Sequence, residues 1–535
     1  MSESPRRRLP ERPSLEQLRK QAKERLDEMR SADPSAKLAD AQHALARDYG
    51  FESWPKLVHH VESAPPERRM LQPAALKSDR KLLWSAGRGN DVWNLFQACA
   101  AGDLESVQAL IAKDPSLPRA HYQYRKPLYF AVRENRLDVA RFLLEHDHNP
   151  LDLWVDDNPL EIARDRGYTE MEQLLAHTLE TKFNASPKGE PIALALRNHD
   201  LAGMRALLDA QPELLGKGDQ GSSQPIHWAT MTRQLEAIDE LLRRGADINA
   251  RRTDGARPIH LTNGDYFYRG WRDVPRNWPV TPAQVMAHLK ARGAFIDLPT
   301  ACHTGDIERV RELLRQDPSL ANRLGDYEGY YLGAGAPLSN AAATGRVDIV
   351  QLLLDHGADP NLPEEQIAPN GKALYNAVFN GHYDIAKLLL ERGAYPNPPV
   401  ESSGDALWVS QEFRPDKRME QLLLSYGATP TTGHAGEDEP KEANWLHISP
   451  LHDAARKGDV KEAAKLIEAG ADLTARDEHL RSTPLAWAAK FGQLDMVKLL
   501  LKHGAPKRLP DDLAWATPLA WATKRGHDEI ARLLA

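Results

Sequence analysis

Cysteine is almost missing from this chain: Cys99 and Cys302 are the only two in 535 residues. A disulfide framework needs more, so a reducing compartment fits. Long apolar runs are missing too. No stretch approaches the roughly 18 apolar residues of a membrane-crossing helix. The opening MSESPRRRLPERPSLEQ has arginines but no apolar core after them, so no secretory signal is expected. Charge of one sign is also lacking. The net charge is -7 with 27% charged residues, which leaves no concentrated basic face for nucleic acid. Arg6, Arg7 and Arg8 are too short a run and read as a solvated tail. Absent as well are a phosphate-binding glycine loop, an H-E-x-x-H pair, paired cysteines and a nucleophile elbow. The expectation is a cytoplasmic protein with no cofactor, no metal and no membrane or nucleic-acid partner. His59-His60 and His146-Asp147-His148 are the densest ligand-like groups, but a metal needs three or four converging ligands. They read instead as helix-capping or solvent-facing side chains.

What the chain does have is a repeat. Thr483-Pro484-Leu485-Ala486-Trp487-Ala488-Ala489 returns as Thr517-Pro518-Leu519-Ala520-Trp521-Ala522-Thr523. Ser449-Pro450-Leu451-His452-Asp453-Ala454-Ala455 stands the same distance upstream. Thr or Ser before Pro is a helix start, because the hydroxyl caps free N–H groups and Pro suits the first helical position. Ala then allows close approach, and Gly492 or Gly526 ends the short helix. A second helix follows with Leu and Val at i, i+3, i+4 spacing. Helices this short are marginal alone, so each pair must bury its stripe against its neighbours.

This unit resembles the ankyrin repeat. Gly245-Ala246-Asp247-Ile248-Asn249 and Gly357-Ala358-Asp359-Pro360-Asn361 match its last element, and Pro225-Ile226-His227 and Pro258-Ile259-His260 match its first. The resemblance implies an all-α ankyrin-repeat solenoid of stacked helix pairs joined by hairpin-like turns. It also implies a structural role for His227, His260 and His452, tying each loop to the next repeat. In that register the units begin near Trp93, Lys126, Asn158, Glu190, Gln224, Arg257, Ile296, Ala336, Lys372, Asp405, Ser449, Thr483 and Thr517. Cys99 and Cys302 then fall where the repeat wants a small buried residue.

The expected organisation is a disordered tail over 1–13, a helical N-terminal cap over 14–63 and a linker over 64–91. Degenerate repeats with insertions fill 92–428, a flexible segment fills 429–448, and three consensus-like repeats fill 449–535. The opening is similar to one found ahead of ankyrin arrays in some bacterial proteins. The sequence stops at Ala535 inside the last helix of a unit, so fraying or weak end-to-end self-association is expected there.

Two insertions break the period. Thr262–Pro282 holds Tyr266, Phe267, Tyr268, Trp271 and Trp278 among Arg269, Arg272 and Arg276; Gly325–Pro337 holds Tyr327, Tyr330 and Tyr331. Tyr, Trp and Arg are the types enriched at interface hot spots, and insertions in repeats map to one face. The same rings could equally staple a long loop down. The reading is a non-enzymatic protein-binding scaffold or adaptor with an unidentified protein partner. Its candidate surface is Tyr266, Tyr268, Trp271, Arg272, Trp278, Tyr330 and Tyr331. The alternative is a small-ligand or carbohydrate-binding protein, conceivably an enzyme, with a pocket walled by 262–282 and 325–337; converging carboxylates there (Asp265, Asp273, Asp326) would favour it. Trp228, Trp487 and Trp521 share one repeat position, and their recurrence favours packing between repeats.

Overall fold

Thr483 and Thr517 start their helices in the way their sequence suggests. Each hydroxyl accepts a hydrogen bond from a backbone N–H three residues on, Ala486 at 3.4 Å and Ala520 at 3.2 Å, with Pro in the first turn. The computed structural model describes residues 15–33, 35–49, 51, 53–62, 72–73, 76–82, 85–122, 125–146, 148–151, 158–265, 267–327, 329, 332–364, 367–400, 403–429, 448–510 and 512–535.

Over these residues the repeat units each form an inner and an outer helical segment, from Gly89–Ala101 with Leu104–Lys113 to Pro518–Lys524 with Asp528–Leu534. Helix caps stand at Lys126, Asn158, Gln224, Arg257, Ala336, Lys372, Asp405, Ser449, Thr483 and Thr517, as the register places them. Three starts differ: Trp93 lies inside its helix, whose cap is Arg88, and the caps beside Glu190 and Ile296 are Gly189 and Asp297, one residue away. Outer helices bury one stripe, such as Met496, Val497 and Leu500 of Leu494–Lys502. Each such side chain contributes about 1.5–3 kcal/mol on burial.

Two of the three histidines, His227 and His452, bind as the family pattern implies. The Gln224 and Ser449 N–H groups donate to Nδ1 of His227 and His452, at 3.0 and 3.1 Å. That acceptor role leaves the proton on Nε2, which donates to the carbonyls of Ala250 and Ser482 in the following hairpins, each at 3.0 Å. His260 accepts from its own cap, Arg257 N–H, at 3.2 Å.

The core falls into three large clusters. One runs from Leu76 to Ala185, a second from Ile192 to Ala428 and a third from Leu451 to Leu534. The 92–428 stretch is thus two packing units with a division between 185 and 192. Leu15–Ala32, Leu38–Asp48 and Trp54–Glu62 pack into two small clusters of their own, around Leu18, Ala46 and Leu57 and around Leu26, Ala36 and Ala41. The expected 64–91 linker ends early. Leu76 is fully buried under the first repeat, Gln72 Nε2 donates to its carbonyl, and the helix begins at Gly89. Residues 1–13 and most of 429–448 lie outside the described residues; at the edge of the latter, Ile448 packs against both the first and the third cluster. That double contact reflects a fold-back. Repeats 449–535 lie against the inner helices Pro127–Arg133 and Pro159–Arg166, where Tyr129 Oη and His479 Nδ1 are 2.8 Å apart.

No helix among the described residues is long and apolar enough to cross a membrane. Both thiols are fully buried, and burial pushes Cys99 and Cys302 well above the usual thiol range.

Candidate protein-interaction surface

The first insertion interrupts the helix pair of its unit. The inner helix shrinks to the 3₁₀ turn Pro258–Leu261, and the outer helix begins only at Pro282. Between them the chain makes a tight hairpin. Asp265 Oδ1 accepts the N–H groups of Phe267 (2.9 Å) and Tyr268 (2.8 Å), and Gly264 pairs with Arg269. Gly264 sits at φ 81°, and a Cβ there would run into the Tyr268 carbonyl, so the tip requires glycine.

Three anchors fix this loop. Arg252 reaches Asp265 at 2.5 Å; the pair is nearly buried, and Asp254 takes the other guanidinium edge. Tyr268 packs edge-on against Trp228, with centroids 5.3 Å apart. Trp278 covers His199, with centroids 4.3 Å apart, and its indole donates to the Arg233 carbonyl at 3.0 Å. Phe267 and Trp271 are left outside, 61% and 59% exposed. Arg269 lies over the Trp271 ring at 5.1 Å. Exposed Arg272 pairs with Asp273 at 2.7 Å and donates to the Phe267 carbonyl at 2.8 Å.

The structure therefore sorts the sequence-predicted residues. Tyr268 and Trp278 are packed, Trp271 and Arg272 face solvent, and Tyr266, Tyr330 and Tyr331 lie outside the described residues. Tyr327 is buried, stacked on His260 with centroids 5.1 Å apart and planes at 10°. The two insertions share one hairpin: Arg252 holds Asp265 of the first, while neighbouring Arg251 lies 3.7 Å from Asp326 of the second.

The Trp position is a packing position. Trp228, Trp487 and Trp521 are buried, and their indole N–H groups bind the hairpin, at Asp219 (2.7 Å), Asp477 (2.8 Å) and Ser482 (3.0 Å). His146 closes the helix Leu137–Glu145 as its C-cap residue. His148 is buried, which lowers its pKa to about 3, and its Nε2 has no hydrogen-bond partner. Asp147 and the side chains of His59 and His60 lie outside the described residues.

A second exposed aromatic group escaped the sequence reading. Phe379 and Phe413 stack at 5.0 Å, flanked by Tyr375 at 5.9 Å and Trp408 at 6.1 Å. Phe413 ends a π-helical turn, Val409–Phe413. The missed signal is the lack of a corner glycine in Val409–Arg414, where neighbouring units have Gly345 and Gly381.

A cavity of about 680 Å³ lies beside these insertions, lined by residues including His148, Lys182, Asn184, Arg251, Asp254 and Asp326. Among the described residues the second insertion contributes Asp326 to this cavity and the first contributes none. Among the described residues no three His, Cys, Asp or Glu side chains are placed to share a metal.

Stacked helix pairs with capped Thr-Pro starts, histidine ties and left-handed corners define a helical-repeat binding fold. The ankyrin repeats profile matches at residues 95–187, 298–399 and 441–535, and the single ankyrin repeat profile at 224–253. Together these cover more than half of the chain, which belongs to the ankyrin-repeat family. Similar proteins include Ankyrin repeat protein nuc-2 of Neurospora crassa, 24% identical over 45% of this chain and 22% of that one. The human transient receptor potential cation channel subfamily A member 1 is 28% identical over 33% of this chain and 17% of its own. The 2-5A-dependent ribonuclease of Mus musculus is 48% identical over 11% of this chain and 8% of its own. The chain thus spans less than a quarter of the length of each of these relatives.

Proposed function

We propose that the chain is a non-enzymatic, cytoplasmic protein-binding scaffold whose partner is recognised at the first insertion. The observation that carries this reading is the exposure of Phe267 and Trp271 on a loop whose backbone is already fixed. A loop held by Arg252, Trp228 and Arg233 has lost its conformational entropy before binding, so its exposed rings can be buried at small further cost. Arg272 and Arg269 frame the two rings, giving the aromatic–arginine composition of interface hot spots. The Phe379–Phe413 stack is a second contact candidate on the same chain.

The test is affinity capture from a cytosolic extract with full-length chain and with a Phe267→Ala/Trp271→Ala variant. Both rings are exposed, so the variant should melt within about 0.5 kcal/mol of the original. A stoichiometric protein retained by the original and lost by the variant is the expected result. Identical captures with both chains would refute recognition at this loop.

A further inference from the structure

We propose that the three C-terminal repeats are a clamp that occupies, within the same molecule, a recognition face on the inner helices Pro127–Arg133 and Pro159–Arg166. Four groups of contacts define it. Tyr129 Oη meets His479 Nδ1 at 2.8 Å, and Arg166 donates to the His479 carbonyl. Arg166 also lies over Trp515 at 4.6 Å. One Arg481 nitrogen donates to both oxygens of Glu134, at 2.6 and 2.8 Å, where Glu134 is 1% exposed. Arg525 reaches Asp165 at 2.5 Å, and Lys524 Nζ donates to the Asp165 carbonyl.

Two features mark this as a specific surface and not incidental proximity. The first is where the charge lies. The two positions before the left-handed corner of each unit are Arg133-Glu134 and Asp165-Arg166 on one side of the contact, and Lys490-Phe491 and Lys524-Arg525 on the other. In the central units the same positions are Met231-Thr232, Ala343-Thr344 and Phe379-Asn380, without charge, and Arg197-Asn198, with one.

The second is the backbone of Arg481. It is held at φ 52°, two residues before its helix cap, where the corresponding residue of another unit is Gly255 at φ 78°. An arginine in the left-handed region costs free energy that glycine would not. Its side chain offsets that cost by reaching Glu134. Nearby, Arg133 pairs with Glu134 at 2.9 Å, both nearly inaccessible to water. Burial alone would push the Tyr129 phenol up, but the charges of His479, Arg133, Arg125 and Arg166 outweigh it and pull the phenol below its ordinary value.

While the clamp is closed, the inner faces of the second and third repeats are unavailable to other proteins. Opening it exposes a ready-made face of aromatic and paired charged groups. The occupant is the chain's own 449–535.

The experiment uses the full chain. Hydrogen–deuterium exchange is followed over 127–133 and 478–482, with the radius of gyration from small-angle scattering and the mass from light scattering. Arg481→Gly keeps the backbone conformation that Gly255 adopts and removes only the side chain. It should speed exchange at 127–133 at least tenfold and enlarge the radius, while the helix 494–502 keeps its protection. Arg525→Ala, which removes the partner of Asp165 and leaves the Arg133–Glu134 pair intact, should open the clamp likewise, which separates a broken contact from a misfolded repeat. Unchanged exchange and radius in both single variants would overturn the proposal. A wild-type chain that is dimeric, and loses protection at 127–133 on dilution, would also overturn it by placing the contact between copies.

Discussion

Trp278 donates its indole N–H to the carbonyl of Arg233 at 3.0 Å, and Arg233 itself stands at φ 58°. Most units place glycine at that corner, as at Gly305 and Gly345. The insertion thus rests on a strained residue of the preceding unit, and Arg233 Nη2 adds a 2.6 Å hydrogen bond to Asn263 at the loop's start. Two variants separate the roles of backbone and side chain. Arg233→Ala and Arg233→Gly both lose the Asn263 bond, but only glycine escapes the left-handed penalty of about 1–2 kcal/mol. Urea denaturation should therefore find the glycine variant more stable than the alanine one by about 1 kcal/mol. Equal stabilities would mean the corner carries no strain.

Indole–hairpin bonds make a graded prediction. Trp487 and Trp228 donate to carboxylates, Asp477 and Asp219, while Trp521 donates to the Ser482 hydroxyl. Replacement by phenylalanine keeps most of the packing and removes the donor. Trp487→Phe and Trp228→Phe should each cost about 2 kcal/mol, as for a hydrogen bond to a charged group, and Trp521→Phe about 1 kcal/mol. Burial raises the Asp219 pKa, and the Trp228 N–H is among the donors that oppose this, so in Trp228→Phe that carboxyl should titrate higher still. Three equal costs would show that ring packing, not the donor, sets the effect.

Protonation should unfold the array from its histidines. Burial, reinforced by the Arg252 charge, lowers the His227 pKa to about 3; burial lowers His260 to about 4; His452 is lowered by the same cause. The unfolded chain takes up a proton near pH 6.5 and the folded one does not. Stability is therefore fully present above pH 6.5 and falls as the pH drops from there toward 3. At pH 5 the loss at His227 should be about 2 kcal/mol. Melting curves from pH 7.5 to 4.5 would show it, and His227→Gln, although less stable at pH 7.5, should have a shallower slope. A variant slope equal to that of the original would remove His227 as a cause.

The repeat register was legible because each unit answers only to its neighbours. Thr-Pro caps, corner glycines and the histidine ties are local devices, and local devices recur at a fixed spacing. The division between Ala185 and Ile192 was not legible, because Pro191 continues the register without interruption. At the insertions, composition pointed to the right segment but could not separate rings that pack from rings that project. Tyr268 and Trp271 are three residues apart in similar company, and only the hairpin set by Asp265 sends one inward and the other out. The fold-back of 449–535 was illegible for a different reason. A contact between Arg481 and Glu134, 347 residues apart, leaves no periodic trace. Its faint sign was charge at corner positions that are mostly neutral in central units.

That long separation has a consequence during synthesis. Elsewhere in the array neighbouring repeats pack on one another, so most repeat faces are covered soon after they are made. Glu134 and Asp165 wait for residues some 350 positions later. At about 5–20 residues per second, their face stands open on the ribosome for roughly 20–70 seconds. In that interval the nascent chain, unlike the finished protein, presents these repeats to whatever is present.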